Sequence, residues 1–252
     1  MTERYRLLGG PGSPSSWSGP VDRAFCARRQ MSGWMSPVPD ASIDAIVERF
    51  TERQIANRAR AVPGEGNRRV LARVYAGVRA AIETMLQTRL FLLGSRPSLA
   101  DFGLYGQLSQ CAIDPSAAAL MRADAVRCYQ WVQTMDDVSG IDGEWAAPDD
   151  WGDAVHALLA LAGRYHLPVL VANATARQSG LDRYELDLDG ETWVGTPHAY
   201  RESCLGWLRD GLARVPAPAL ERLRPLLDAH GCWAPLRPGA TPAVPVVPMV
   251  PV

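Results

Sequence analysis

The sequence predicts a mainly α fold, a helical bundle carrying one small β-hairpin, and three observations predict it. Val70, Val74, Val78, Ile82 and Leu86 recur every four residues, the period of one helix face. "PSLAD" (Pro97–Asp101) places Ser98 three residues before Asp101 at the start of an apolar run, the spacing of a capping box. "YELDLDGETWVG" (Tyr184–Gly195) alternates apolar and polar residues on both sides of Asp189-Gly190, which favours a two-residue type I′ turn.

Taken in order, "YRLLGG" (Tyr5–Gly10) reads as one short strand, followed by a loop rich in Gly, Pro and Ser through Pro20. Up to about Asp40 no period is visible. A helix is expected from Ser42 to about Arg60, with Ile43, Ile46, Val47 and Phe50 on one face. "PGEGN" breaks it, and Asn67 is the expected cap of the next helix, which runs to Leu90. The helix begun by Ser98 follows, then a short one over 116–121 and another over about 123–136. Residues 139–153 read as a connection. The helix that begins around Val155 must end or kink at Pro168, which has no N–H to give. The hairpin pairs Leu186 with Trp193 across one face. Thr196-Pro197 reads as N-cap and first helical residue of a helix with Tyr200, Cys204, Trp207 and Leu208 inward. A last helix over about 219–230 stops at Gly231. The proline-rich tail beyond it favours neither helix nor central strand.

Composition narrows the chemistry. The 252 residues are 47% hydrophobic and 21% charged, with a formal net charge of −1, the profile of a globular domain without a nucleic-acid footprint. All 26 basic residues are arginine, so no lysine Schiff base and no P-loop lysine is present. Cys26, Cys111, Cys128, Cys204 and Cys232 are scattered and odd in number, without the spacing of a disulfide framework or zinc site. His156, His166, His198 and His230 form no metal-binding pair in sequence, so no metal is expected and solvent-facing or capping roles are. "GPGSPS" (Gly10–Ser15) carries Ser where a dinucleotide fingerprint has its third glycine. No apolar stretch reads as long enough to span a bilayer and the first ten residues lack a signal-peptide core, so no membrane is expected and the cytoplasm is the expected location.

The long helix, "FLLGSRPSLADFGLYGQL" and the helical continuation resemble the C-terminal domain of the glutathione transferase superfamily. In that family a Ser/Thr-x-x-Asp box starts the central helix. "ERQI" (Glu52–Ile55), "WVQTMDDVSG" (Trp131–Gly140), "RYHLPVLVANA" (Arg164–Ala174) and "CLGWLRDGL" (Cys204–Leu212) extend the resemblance to a bacterial subgroup with a lengthened C-terminal domain. The resemblance implies three regions: a truncated remnant of the thioredoxin-like half over 1–41, the helical domain over 42–232, and a Pro-rich tail over 233–252.

It also implies roles. Ser13, just before Pro14, stands where the family's catalytic hydroxyl donates to the glutathione sulfur and favours the thiolate. "SPVPDASID" (Ser36–Asp44) contains Val38-Pro39, the dipeptide of the family's glutathione-pairing cis-proline, yet no strand surrounds it. Glutathione is accordingly an expected cofactor only with weak binding. Tyr75, Arg79, Tyr105 and Gln107 flank the family's hydrophobic substrate cleft. Tyr165 and Asn173 belong to the subgroup motif near Pro168, where Asn173 is expected to tie the kinked backbone together. Ser98 and Asp101 are structural caps rather than catalysts. A hydrophobic small molecule is the expected ligand and a homodimer a possible assembly. Three readings stay open here: a glutathione-dependent transferase, a glutathione-independent lyase, isomerase or cyclase, and a non-catalytic binding module.

Overall fold

The computed structural model describes residues 20–61 and 63–237. Ser13 and the expected strand Tyr5–Gly10 lie outside the described residues, as does the tail beyond Arg237.

Eleven helices and one hairpin are described. Helices α1 (Pro20–Trp34) and α2 (Asp40–Ala61) form an antiparallel pair. The first replaces what the sequence reading left without a period. Pro20 at its start and Asp22 in its first turn are ordinary helix-opening signals. Ala27 and Met31, one turn apart, bury against Ile43 and Phe50 of α2. A hydrogen bond from Ser116 Oγ to Asp22 Oδ2 (2.6 Å) ties this pair to the rest of the chain.

Helix α3 (Glu65–Met85) supplies the spine. Its N-cap is Gly64, not Asn67, which sits fully buried inside the first turn and turns its amide elsewhere. The capping box forms at Ser98, opening α4 (Leu99–Ile113). Asp114 then caps α5 (Pro115–Asp124) by accepting from Ala117 N at 3.1 Å, and α6 (Val126–Thr134) follows. The faces of α3 to α6 enclose the largest apolar cluster, with Tyr75, Ile82, Phe91, Leu108, Met121 and Trp131 at its centre.

Pro168 does not end its helix. Helix α7 (Asp153–Leu161) passes through a π-turn (Ala162–His166) into α8 (Leu167–Gln178). The wider turn, closed by Leu167 N–H on Ala162 O, admits the proline ring one residue later without stopping the chain. The result is one run of 26 residues, Asp153–Gln178, long and apolar enough by length and composition to cross a membrane. The sequence reading, which has this helix end or kink at Pro168, did not give the run its length. Here the α8 half is a core helix, with Leu167, Leu170, Val171, Ala172 and Ala174 buried against the hairpin and the helix beyond it.

Strands β1 (Tyr184–Leu188) and β2 (Glu191–Gly195) pair antiparallel in the expected register, Leu186 opposite Trp193. Asp189 (φ 58°) and Gly190 (φ 73°) make the turn, both left-handed as type I′ requires. Opposite Tyr184 stands Gly195, where a side chain has no room, since an added Cβ would lie 2.2 Å from the phenol ring. Helix α9 (Ala199–Ala213) is capped by His198, whose Nδ1 accepts from Tyr200 N (3.2 Å), rather than by Thr196-Pro197. Its inward residue is Leu205, whereas Tyr200, Trp207 and Leu208 are exposed, opposite to expectation. Tyr200 and Trp207 instead stack edge to face, centroids 5.8 Å apart. Helix α10 (Ala217–Ala229) is followed by Gly231 at φ 69°. The segment expected to be the start of a tail coils into α11 (Trp233–Leu236), because Leu236 and neighbouring Cys232 join the apolar cluster on α8.

Candidate functional site

The six residues expected to contact a ligand fall into four places. Tyr75 and Arg79, one turn apart on α3, are together but buried. The Tyr75 hydroxyl donates to Ala117 O (3.1 Å) and the Arg79 guanidinium lies 4.7 Å above the Tyr75 ring while donating to Asp124. Arg79 is 6% exposed and Tyr75 1%, so both brace the α3–α5 contact from within. Burial pushes the Tyr75 phenol far above its usual range. Burial likewise pushes the neighbouring thiols of Cys111 and Cys128 up to about 12. A thiol held protonated is a poor nucleophile, so these cysteines pack rather than react.

Tyr105 and Gln107 lie half-buried on α4. The Tyr105 hydroxyl donates to Asp136, a bond that holds the phenol above its usual range. Tyr165, in the π-turn, donates its hydroxyl to Asp189 at the hairpin tip, and Arg164 Nε binds the same carboxylate at 2.6 Å. These two donors hold the Asp189 carboxyl below its ordinary value. Asn173 exchanges two hydrogen bonds with the backbone of His198: Nδ2 to His198 O (3.0 Å) and His198 N to Oδ1 (2.8 Å). It therefore ties α8 to the start of α9, not to the kink.

Asp101 is fully buried and holds three donors. Ser98 N (2.8 Å) and Ser98 Oγ (2.5 Å) reach Oδ2, and Leu92 N (3.0 Å) reaches Oδ1. Asp101 N in turn donates to Ser98 Oγ (3.3 Å). The capping box thus also fixes the loop 91–95 ahead of α4, an anchor that the Ser-x-x-Asp spacing alone does not announce.

Other residues that hold the scaffold carry little sequence signal. Glu83 of α3 accepts from Cys128 N (2.9 Å) and Arg127 Nη1 (3.1 Å), supplying from another helix the cap that Ala125 lacks. Glu191 of β2 is 9% exposed and takes Arg69 Nε (2.7 Å) and Arg73 Nη2 (2.8 Å) from α3. His156 and His230 meet, Nδ1 to Nε2, at 3.1 Å across 74 residues.

The recesses on the described surface include two of a few hundred Å³. One, of about 440 Å³, lies at the α1–α2 turn beside Pro37 and Val38. The other, of about 230 Å³, lies between the end of α3 and the start of α7. Buried Met85, Leu92 and Val155 form its floor and the more exposed Thr84, Thr88 and Arg89 its rim. Arg89 Nη1 is set by Asp150 O at 3.1 Å, which places a fixed cation at the mouth. None of the six residues expected to contact a ligand lines either recess. Among the described residues no three His, Cys, Asp or Glu side chains are grouped to hold a metal ion.

Residues 45–134, from α2 to the last residue of α6, match the family described as glutathione S-transferase, C-terminal domain. No curated protein and no solved structure matches the chain. The Ser98–Asp101 box, the helix it opens and the cluster packed around that helix all fall inside the matched span. Over residues 45–134 the chain is similar to the glutathione S-transferase C-terminal domain, which supports a place in that superfamily.

Proposed function

We propose that this protein binds an apolar small molecule on a glutathione-transferase scaffold, with weak or no affinity for glutathione. The observation that carries the first half is the recess between α3 and α7, apolar at its floor and bearing Arg89 and two threonine hydroxyls at its rim. Such a lining suits a compact apolar ligand with one polar or anionic end, at the small end of ligand pockets. The second half rests on what adjoins the matched domain. Glutathione in this superfamily pairs with an extended strand beside a cis-proline, whereas residues 20–44 are helix, turn and the first residues of a second helix. Binding is favoured over covalent catalysis by the interior thiols at Cys111 and Cys128, which burial keeps protonated.

Isothermal titration of the full chain with glutathione is expected to give a dissociation constant in the millimolar range or weaker, since each 1.4 kcal/mol of missing contact is about tenfold. A constant near or below about 100 μM that is lost in Ser13→Ala overturns this half of the reading. For the recess, Val155→Trp fills the floor and is expected to weaken binding of an apolar fluorescent dye by roughly tenfold. Undiminished dye binding in a folded Val155→Trp protein places the ligand elsewhere.

A further inference from the structure

Helix α10 is a weakly held element. None of its residues is fully buried, and Pro225 removes one of its internal hydrogen bonds. What fixes its end is a short set of contacts around His230. The His230 carbonyl lies against Gly163 of the π-turn, so close that a Cβ on Gly163 would stand 1.8 Å from it. Cys232 donates its thiol to Leu159 O (3.3 Å), and Leu227 and Leu236 pack on Leu167 and Leu170. Above these sits the imidazole pair, His156 Nδ1 to His230 Nε2 at 3.1 Å, ring centroids 5.2 Å apart at 73°. The centroid separation is nearly the nitrogen gap plus the two ring radii. The two nitrogens therefore point at each other almost in line, as in an N–H···N hydrogen bond, rather than converging on a third point as two ligands of one ion do.

We propose that the His156–His230 pair is a proton-operated latch that holds α10 and α11 against α7 while it carries at most one proton and releases them when both rings are protonated. With no added proton, one ring donates N–H and the other offers its lone pair. With one proton the bond becomes N⁺–H···N and is stronger. With two, both facing nitrogens are donors, no lone pair remains, and two positive charges oppose each other at contact distance. Only the second proton on the pair opens the latch.

The ionisable groups on the surrounding elements are otherwise engaged or one turn away. Asp153 precedes His156 on α7, Asp228 faces Arg224 (3.6 Å) on α10, and Arg164 of the π-turn is held by Asp189. The Cys232 thiol is pushed up by burial, and His166, also of the π-turn, is pushed down by burial and by Arg201. His230 is held below the ordinary imidazole value by burial and by His156. The docked state resists a second proton that the open state accepts. Docking is therefore fully stable above the ordinary histidine value of about 6.5 and weakens as pH falls below it.

The test is hydrogen–deuterium exchange of the full chain, with EDTA present so that no divalent ion bridges the nitrogens. Protection in 217–236 is compared with that in 167–178, after correction for intrinsic exchange. Between about pH 7.5 and about pH 5 the C-terminal segment is expected to lose roughly tenfold in protection while α8 keeps its own. In His156→Gln, which cannot charge, this selective loss should vanish, and His230→Gln serves as the reciprocal variant should the first fold poorly. Equal protection of 217–236 at both pH values in the natural chain, or a selective loss that survives in both Gln variants, overturns the latch.

Discussion

Asn67 and Val194, 127 residues apart, exchange two hydrogen bonds: Asn67 Nδ2 donates to Val194 O (2.8 Å) and Val194 N donates to Asn67 Oδ1 (3.0 Å). A side-chain amide on α3 thereby does for the free edge of β2 what a third strand would do. Gly66 makes the approach possible, since a Cβ there would lie 2.2 Å from Thr192 O. With Glu191 held by Arg69 and Arg73, this seats the hairpin on the matched domain.

Replacing Asn67 with Ala removes both bonds and leaves the half-buried N–H and C=O of Val194 without partners. The expected cost is about 2–3 kcal/mol, because the desolvation of the orphaned groups is not returned. Chemical denaturation should show it as a lower midpoint with an unchanged slope. A loss within about 0.5 kcal/mol, the range of ordinary surface changes, contradicts the assignment.

Asp101→Ala deprives three donors of their acceptor at once. A helix cap alone is worth about 0.5–2 kcal/mol. The additional buried N–H of Leu92 raises the expected loss to about 2–4 kcal/mol. Because Asp101 touches the recess only by fixing the backbone of Leu92 on its floor, apolar-dye binding by the surviving folded protein should weaken only as far as loop 91–95 loosens. Wild-type melting together with lost ligand binding would instead make Asp101 part of the ligand site.

Alkaline pH should unfold this protein through its interior. Cys111 and Cys128 are raised to about 12, and Tyr75 is raised as well, so the folded state keeps protons that the unfolded chain releases. The unfolded state then binds fewer protons, and stability falls as pH climbs above the ordinary thiol value of about 8.5. Denaturation midpoints measured across that range should decline, and less steeply in Cys111→Ala/Cys128→Ala than in the natural chain. At about pH 8 thiol reagents should modify half-buried Cys204 before either interior cysteine. Early labelling of Cys111 or Cys128, read by mass spectrometry, would show an open interior.

The sequence by itself determined the elements whose causes are local. Ser98 and Asp101 meet within one turn, and Asp189-Gly190 can turn left-handed wherever the hairpin ends up. Their spacing therefore carried the capping box, the strand register and part of the family resemblance. Tertiary structure decided the rest. Tyr75 and Arg79 have the same helical spacing whether they face a cleft or a core, and only the placement of α5 across α3 buries them. Pro168 reads as an end or a kink until a π-turn makes room for it, and α1 gains its apolar partner only when α2 folds back. Asn67 finds Val194 and His156 finds His230 where separate elements cross, a condition set by packing of the whole chain and written in no short stretch of it.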